Sequence, residues 1–323
     1  MLDRPCWVVA LILSCAVPAG AEWLRPSAGG PPEWGIAGGL HWAIWPGSGA
    51  GRGTGGPRGL IRISAPCLPG GKYKLVNWLA IEPRTVGGPR GFSELEQSAR
   101  DGKPGKHLHA AEPAGRITTV APGVEELEVE IGVERFNNGA HVTLGLSQRS
   151  DRPDEIAIVT HTAPGSARLQ DCVVTATCGN RTRSRLLLLA DGREDSRRLW
   201  PDYSGAQFAP DRFFPIARMT RLADGSALAA ITTDETNPRA VRPADPRWYY
   251  GGVPLVQYWR VPDAARHAGA RVRVNGRFMY WATRVPVPGG IAFENFEMRE
   301  PWAEGQRYVF GVSRRAPAEL GIP

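Results

Sequence analysis

Beyond its first 21 residues the chain has no run approaching the ~20 apolar residues that a membrane helix needs, so no membrane span is expected. It also lacks any block of about five or six basic residues and any aromatic-basic nucleic-acid motif. The net charge of +7 comes from arginines scattered along the whole sequence, and no nucleic-acid partner is expected. Long 3.6-residue periodicity and internal repeats are absent, which excludes helical bundles, solenoids and propellers. No Gly-x-Ser-x-Gly elbow, phosphate loop or dinucleotide fingerprint occurs, so neither serine nucleophile chemistry nor a cofactor is expected. Cysteine is scarce. Of five, Cys6 and Cys15 fall near the N-terminus, leaving Cys67, Cys172 and Cys178. Cys172 and Cys178 share a face of one expected strand ~20 Å apart, too far for a disulfide. Cys67 pairing with one of them and three buried thiols are both open. No Cys/His spacing fits a zinc site.

What is present begins with an export signal. Arg4 precedes an apolar run from Trp7 to Val17, and Ala19-Gly20-Ala21 offers a small-x-small cleavage site. Residues 1–21 therefore read as a signal peptide of a secreted or periplasmic protein. Ile12-Leu13-Ser14-Cys15 approximates a lipobox, which makes a lipid anchor at Cys15 the alternative. The 39 Gly and 29 Pro argue for many turns joining short strands. Residues 22–58 are a Gly/Pro-rich segment, with a loop at Gly47–Gly59.

The strand pattern follows from alternation. In Glu126–Glu134, glutamates alternate with Leu127, Val129, Ile131 and Val133, and Asn138-Gly139 suits a two-residue turn pairing Val133 with Leu144 and Ile131 with Leu146. Asn275-Gly276 reads as a second hairpin turn into a strand at Phe278–Val285. Ser93 and Glu96 have capping-box spacing, predicting a short helix over Ser93–Arg100. About fifteen short strands with turns between them imply an all-β fold: one large antiparallel β-sandwich domain, 22–323, with few short helices.

Candidate chemistry gathers in the C-terminal third. Glu294 shares a strand face with Phe296 and Met298, where an apolar setting resists ionisation and makes a general acid; a buried acid bound to an arginine is the other reading. Glu297 faces the opposite way unless a bulge intervenes. Asp234 and Glu235 precede Trp248, Tyr249 and Tyr250, with Tyr280 and Trp281 further on. Rings stack on sugar faces, and carboxylates fix hydroxyls. The eleven tryptophans otherwise fill the core. Glu94, Glu96, His107 and His109 are weaker candidates, explained as readily by capping or loop positions.

Three segments, Val76-Asn77-Trp78-Leu79-Ala80-Ile81-Glu82-Pro83, Gly91-Phe92-Ser93-Glu94-Leu95-Glu96 and Ala292-Phe293-Glu294-Asn295-Phe296-Glu297, make the mature chain resemble a family of uncharacterised exported bacterial proteins. That resemblance implies no activity and no site. Strand count and length also look like the supersandwich of galactose-mutarotase-like proteins, a resemblance of fold alone. The expectation is an exported carbohydrate-active protein acting on a polysaccharide or oligosaccharide. Glu294, Glu297, Asp234 and Glu235 would be its catalytic acids and Trp248, Tyr249, Tyr250, Tyr280 and Trp281 its sugar-binding rings. The alternative is a non-catalytic glycan-binding or structural envelope protein.

Overall fold

The computed structural model describes residues 21–26, 33–44, 60–97, 102, 108–110, 112, 114–178, 183–235, 249–250, 253–280 and 283–323. Two large antiparallel sheets face each other. The nine-stranded sheet runs β1 (Trp23–Leu24), β2 (Glu33–Ile36), β3 (His41–Ala43), β4 (Ile61–Ala65), β5 (Lys74–Thr85), β11 (Leu169–Thr177), β21 (Ala292–Arg299), β20 (Arg271–Arg277), β14 (Arg212–Pro215). The eleven-stranded sheet runs β13 (Gly192–Asp195), β12 (Leu186–Leu189), β16 (Ala227–Thr232), β19 (Val256–Val261), β22 (Gln306–Ser313), β10 (Glu155–Thr162), β9 (Val142–Arg149), β8 (Val124–Val133), β6 (Leu108–Ala110). Within it β7 (Arg116–Ala121) pairs β8, and β15 (Thr220–Arg221) pairs β16. A small separate ribbon joins β17 (Tyr249–Tyr250) to β18 (Val253–Pro254). The only α-helix among the described residues is the single turn α1 (Ser196–Leu199), capped by Asp195.

Alternation along each strand decides what lies between the sheets. Ile81, Val174, Met298 and Val272 form one inward row across four strands of the nine-stranded sheet. Leu127, Val129 and Ile131 oppose Leu144 and Leu146 on the other. Two polar bonds cross this interior. Asn77 Nδ2 donates to Gln257 Oε1 at 2.7 Å, and Trp259 Nε1 donates to the Phe296 carbonyl at 2.8 Å. Trp34, Trp42 and Trp259 are fully buried, with Trp34 and Trp42 stacked at 4.6 Å. The described indoles thus serve packing. Cys67, Cys172 and Cys178 are buried free thiols, and burial pushes those of Cys172 and Cys178 far above their usual range.

Four local expectations are corrected. The β8–β9 register pairs Ile131 with Leu144 and Val129 with Leu146, two residues from the expected alignment. A two-residue slip keeps every side chain on its face. The turn is longer because Asn138 bonds elsewhere, its Nδ2 donating to the Pro83 and Pro89 carbonyls at 3.0 and 2.9 Å. Asn275-Gly276 is not a turn: β20 runs through it, and the register shift between Val274 and Gly276 marks a bulge. Phe278–Val285 is correspondingly not a strand in its described part; the chain turns so that Tyr280 N bonds the Val285 carbonyl at 2.9 Å. Finally, residues 93–97 form turns, not a helix. Ser93 Oγ accepts from Ile81 N, while Glu96 accepts from Phe92 N and Asn137 N. All but the last residue of the expected signal peptide 1–21, and the loop expected at Gly47–Gly59, lie outside the described residues.

Candidate functional site

One end of the sandwich is closed by a crossing segment. Phe293 N bonds the Ser184 carbonyl at 2.8 Å, and Arg185 N bonds the Thr232 carbonyl at 2.8 Å. Two consecutive residues therefore tie β21 of one sheet to β16 of the other. Arg183 and Arg185, almost fully buried, carry their charge into this seam. Arg185 Nη1 contacts Asp234 at 3.3 Å and Glu235 at 3.1 Å, and Arg183 reaches Glu235 at 3.2 Å. Arg185 Nη2 donates to the Pro288 carbonyl. Arg197, held by Asp195 at 2.6 Å, pairs with Asp234 as well. Asp234 and Glu235 are thus bridged by three arginines.

Glu294 sits on the same end. The bulge sets Glu294 and Asn295 opposite the single residue Asn275, so Phe293 and Phe296 both point inward although three apart. The Glu294 carboxylate acts electrostatically on Cys178 and on the buried Arg277. Above Arg277, at 4.8 Å, lies the ring of Phe208, which is 46% exposed. Tyr203 is half-buried nearby, its hydroxyl donating to the Gln207 carbonyl at 2.7 Å. Tyr280 follows three residues after Arg277 and is half-buried. Trp248 and Trp281 lie outside the described residues, and Tyr249 and Tyr250 are described only by their pairing with Val253-Pro254. Sequence spacing gave no hint of Phe208; its signal is an apolar ring in an otherwise polar, turn-rich stretch.

Glu297 does not join this group. It is fully buried on the outward row of the nine-stranded sheet, accepting from Thr175 Oγ1 at 3.2 Å and paired with Arg273. Arg273 also reaches Asp211 at 2.9 Å. The partners of Glu297 came from an unexpected place. Glu82 on β5 lies two strands and two residues away, roughly 12 Å between Cα atoms at ordinary sheet spacing. Arg90 pairs with it at 2.8 Å. Segment 91–93 runs beside β5, with Gly91 N on the Pro83 carbonyl and Ser93 N on that of Ile81, and delivers Glu94. Burial first, then the Glu297 and Glu94 carboxylates, raise the Glu82 carboxyl to about 8. Burial likewise raises Glu94. A carboxyl that keeps its proton at neutral pH beside a carboxylate is an acid–base pair in the chemical sense. All three segments singled out in the sequence, 76–83, 91–96 and 292–297, meet here. Among the described residues no group of three or more His, Cys, Asp or Glu could hold a metal ion.

Chemically, the end cluster offers fixed acceptors, arginine donors and an exposed ring, which suits recognition. The outer cluster offers proton chemistry under cover of segment 91–97. No family model, curated protein or solved structure matches the chain.

Proposed function

We propose that this is an exported carbohydrate-active protein that engages a glycan at the closed end of the sandwich. The observation that carries the reading is the exposed Phe208 ring lying on Arg277 beside Glu294. A ring face takes the apolar face of a sugar, while flanking carboxylates and guanidinium groups take its hydroxyls. The Ala19–Ala21 site and the apolar run before it support export; Cys15 keeps lipid anchoring open. Of the four acids first considered for catalysis, Asp234 and Glu235 are bridged by arginines and Glu297 is sealed. The geometry at this end therefore favours binding, with Glu294, Asp234 and Glu235 as acceptors and Tyr280 as a flanking ring.

A second reading, glycan hydrolysis, elimination or epimerisation, is favoured by the Glu82–Glu297 pair. There Glu82 would donate the proton and Glu297 would be the second acid, once segment 91–97 moves aside.

The test is a glycan-array and depolymerisation screen on the chain from residue 22 onward. Binding without turnover, lost in Phe208→Ala and Glu294→Gln, is the expected result. Turnover abolished by Glu82→Gln selects the second reading. Absence of binding to any glycan refutes both.

A further inference from the structure

A cavity on the opposite sheet is unrelated to either cluster. It is an open hollow of about 480 Å³ on the outer face of the eleven-stranded sheet, within the ~300–1,000 Å³ range of small-molecule sites. Leu228 on β16 lines it, six residues before Asp234, so ~20 Å separate it from the closed end along the strand.

Its floor is built, not incidental. On the outward row Ala230, Tyr258, Gly311 and Glu155 lie side by side. A Cβ at position 311 would collide with the Tyr258 ring. Glycine there lets the ring lie across β22 and reach β10, where Tyr258 Oη donates to Glu155 Oε1 at 3.2 Å. Arg260 Nε donates to the same oxygen at 3.0 Å. Glu155 is thereby fixed by two side chains of β19, the strand on the far side of β22 from its own. At the rim, Arg152 contacts Asp224 at 3.4 Å. Arg315 is anchored through its backbone N and Nε to Ser313 Oγ. The terminal nitrogens of Arg315 make no hydrogen bond among the described residues.

The lining carries no excess of positive charge. Carboxylates Asp151, Asp154, Glu155 and Glu319 line the hollow together with Arg152, Arg260 and Arg315, and Arg149 holds Asp151 at 2.9 Å from outside it. An anion gains no net field from such a lining. A second wall is apolar, formed by Leu222, Leu228 and Leu320. Fixed donors and acceptors of both signs, without net positive charge and facing a hydrocarbon wall, match a neutral polyhydroxylated ring, whose hydroxyl edges are polar and whose C–H faces are not.

We infer that this hollow binds one or two neutral sugar units, as a saccharide site separate from the closed end. The experiment is calorimetric titration of the chain from residue 22 onward with cellobiose, xylobiose and N,N′-diacetylchitobiose, and with sulfate and glucuronate as anionic controls. Saturable binding of at least one disaccharide and of neither anion is expected. Arg152→Ala with Arg315→Ala, both exposed and so neutral for folding by thermal melting, weakens it about tenfold or more. Leu222→Trp, which fills the apolar wall, does the same by exclusion. Phe208→Ala leaves it unchanged, which separates this site from the closed end. The inference is overturned if no disaccharide saturates, if sulfate or glucuronate binds instead, or if binding survives the arginine substitutions. It is also overturned if Phe208→Ala removes the binding.

Discussion

Replacing Gly311 with alanine sets a methyl group against a ring that has no free space to enter. Tyr258 is 1% exposed and packed among Leu228, Ala230, Val256, Leu320 and Ile322, and its ring atoms Cζ, Cε2 and Oη occupy the place of the new Cβ. The ring must tilt outward, which strains the small cluster and breaks the bond from Tyr258 Oη to Glu155. Overpacking costs about 1–3 kcal/mol and the lost bond to a charged group about 1.5–3 kcal/mol. Relief of glycine's backbone entropy returns about 0.5–1 kcal/mol. The net loss is about 1.5–5.5 kcal/mol. With an unfolding entropy of ~2.1 cal/mol/K per residue over roughly 300 residues, Tm falls by about 2–9 °C. Urea denaturation gives the free energy directly, and a double-mutant cycle tests the cause. In a Tyr258→Ala background the obstacle is gone, so the same glycine substitution becomes neutral or mildly stabilising. A single-mutant loss below about 0.5 kcal/mol, or additivity of the two substitutions, refutes the argument.

Two further outcomes follow from the buried charges. The Glu82 carboxyl rises from 4.5 to about 8 on folding, so between those values the native state holds a proton that the unfolded chain has released. Stability therefore falls as pH rises through this window and levels off above it; Glu82→Gln flattens the slope between pH 5 and pH 9 in denaturation experiments, and an unchanged slope contradicts the assignment. Arg185→Ala leaves Asp234 and Glu235 without their shared cation and costs about 3–5 kcal/mol. Arg185→Lys recovers less than half of that loss, because an ammonium cannot reach two carboxylates and the Pro288 carbonyl together; full recovery by lysine in urea titrations argues against a bridging role.

The strands were legible wherever one face met the core. The Glu126–Val133 alternation became a strand, because burial on one side imposes a period of two regardless of neighbours. Local turn chemistry was less reliable for a physical reason. Asn138 and Asn275 carry side chains that bond distant backbone, the first to Pro83 and Pro89, the second to Asn295 N, and a side chain so engaged no longer dictates a tight turn. The site was legible only in its parts. Glu294, Asp234 and Glu235 stand near one another because two sheets are stitched by Ser184-Arg185, and no spacing rule encodes that stitch. Glu82 meets Glu297 because β11 pairs with both β5 and β21, 122 residues separating Thr175 from Glu297. A lone acid in an apolar strand such as Val76–Ile81 was the available signal for Glu82.

The position of β21 and β22 has a consequence for biogenesis. Both lie in the middle of their sheets, β21 between β11 and β20 and β22 between β19 and β10, yet in sequence they follow every other described strand. Until they arrive, each sheet exists as two halves with open flanks, and no earlier fragment can close the sandwich. The two halves of each sheet cannot join before these strands are made, and joining them is the least local step of the pairing. Loss of the segment from β21 onward leaves four unpaired flanks per molecule, on β11, β20, β10 and β19, which is the kind of surface that drives strand-to-strand aggregation.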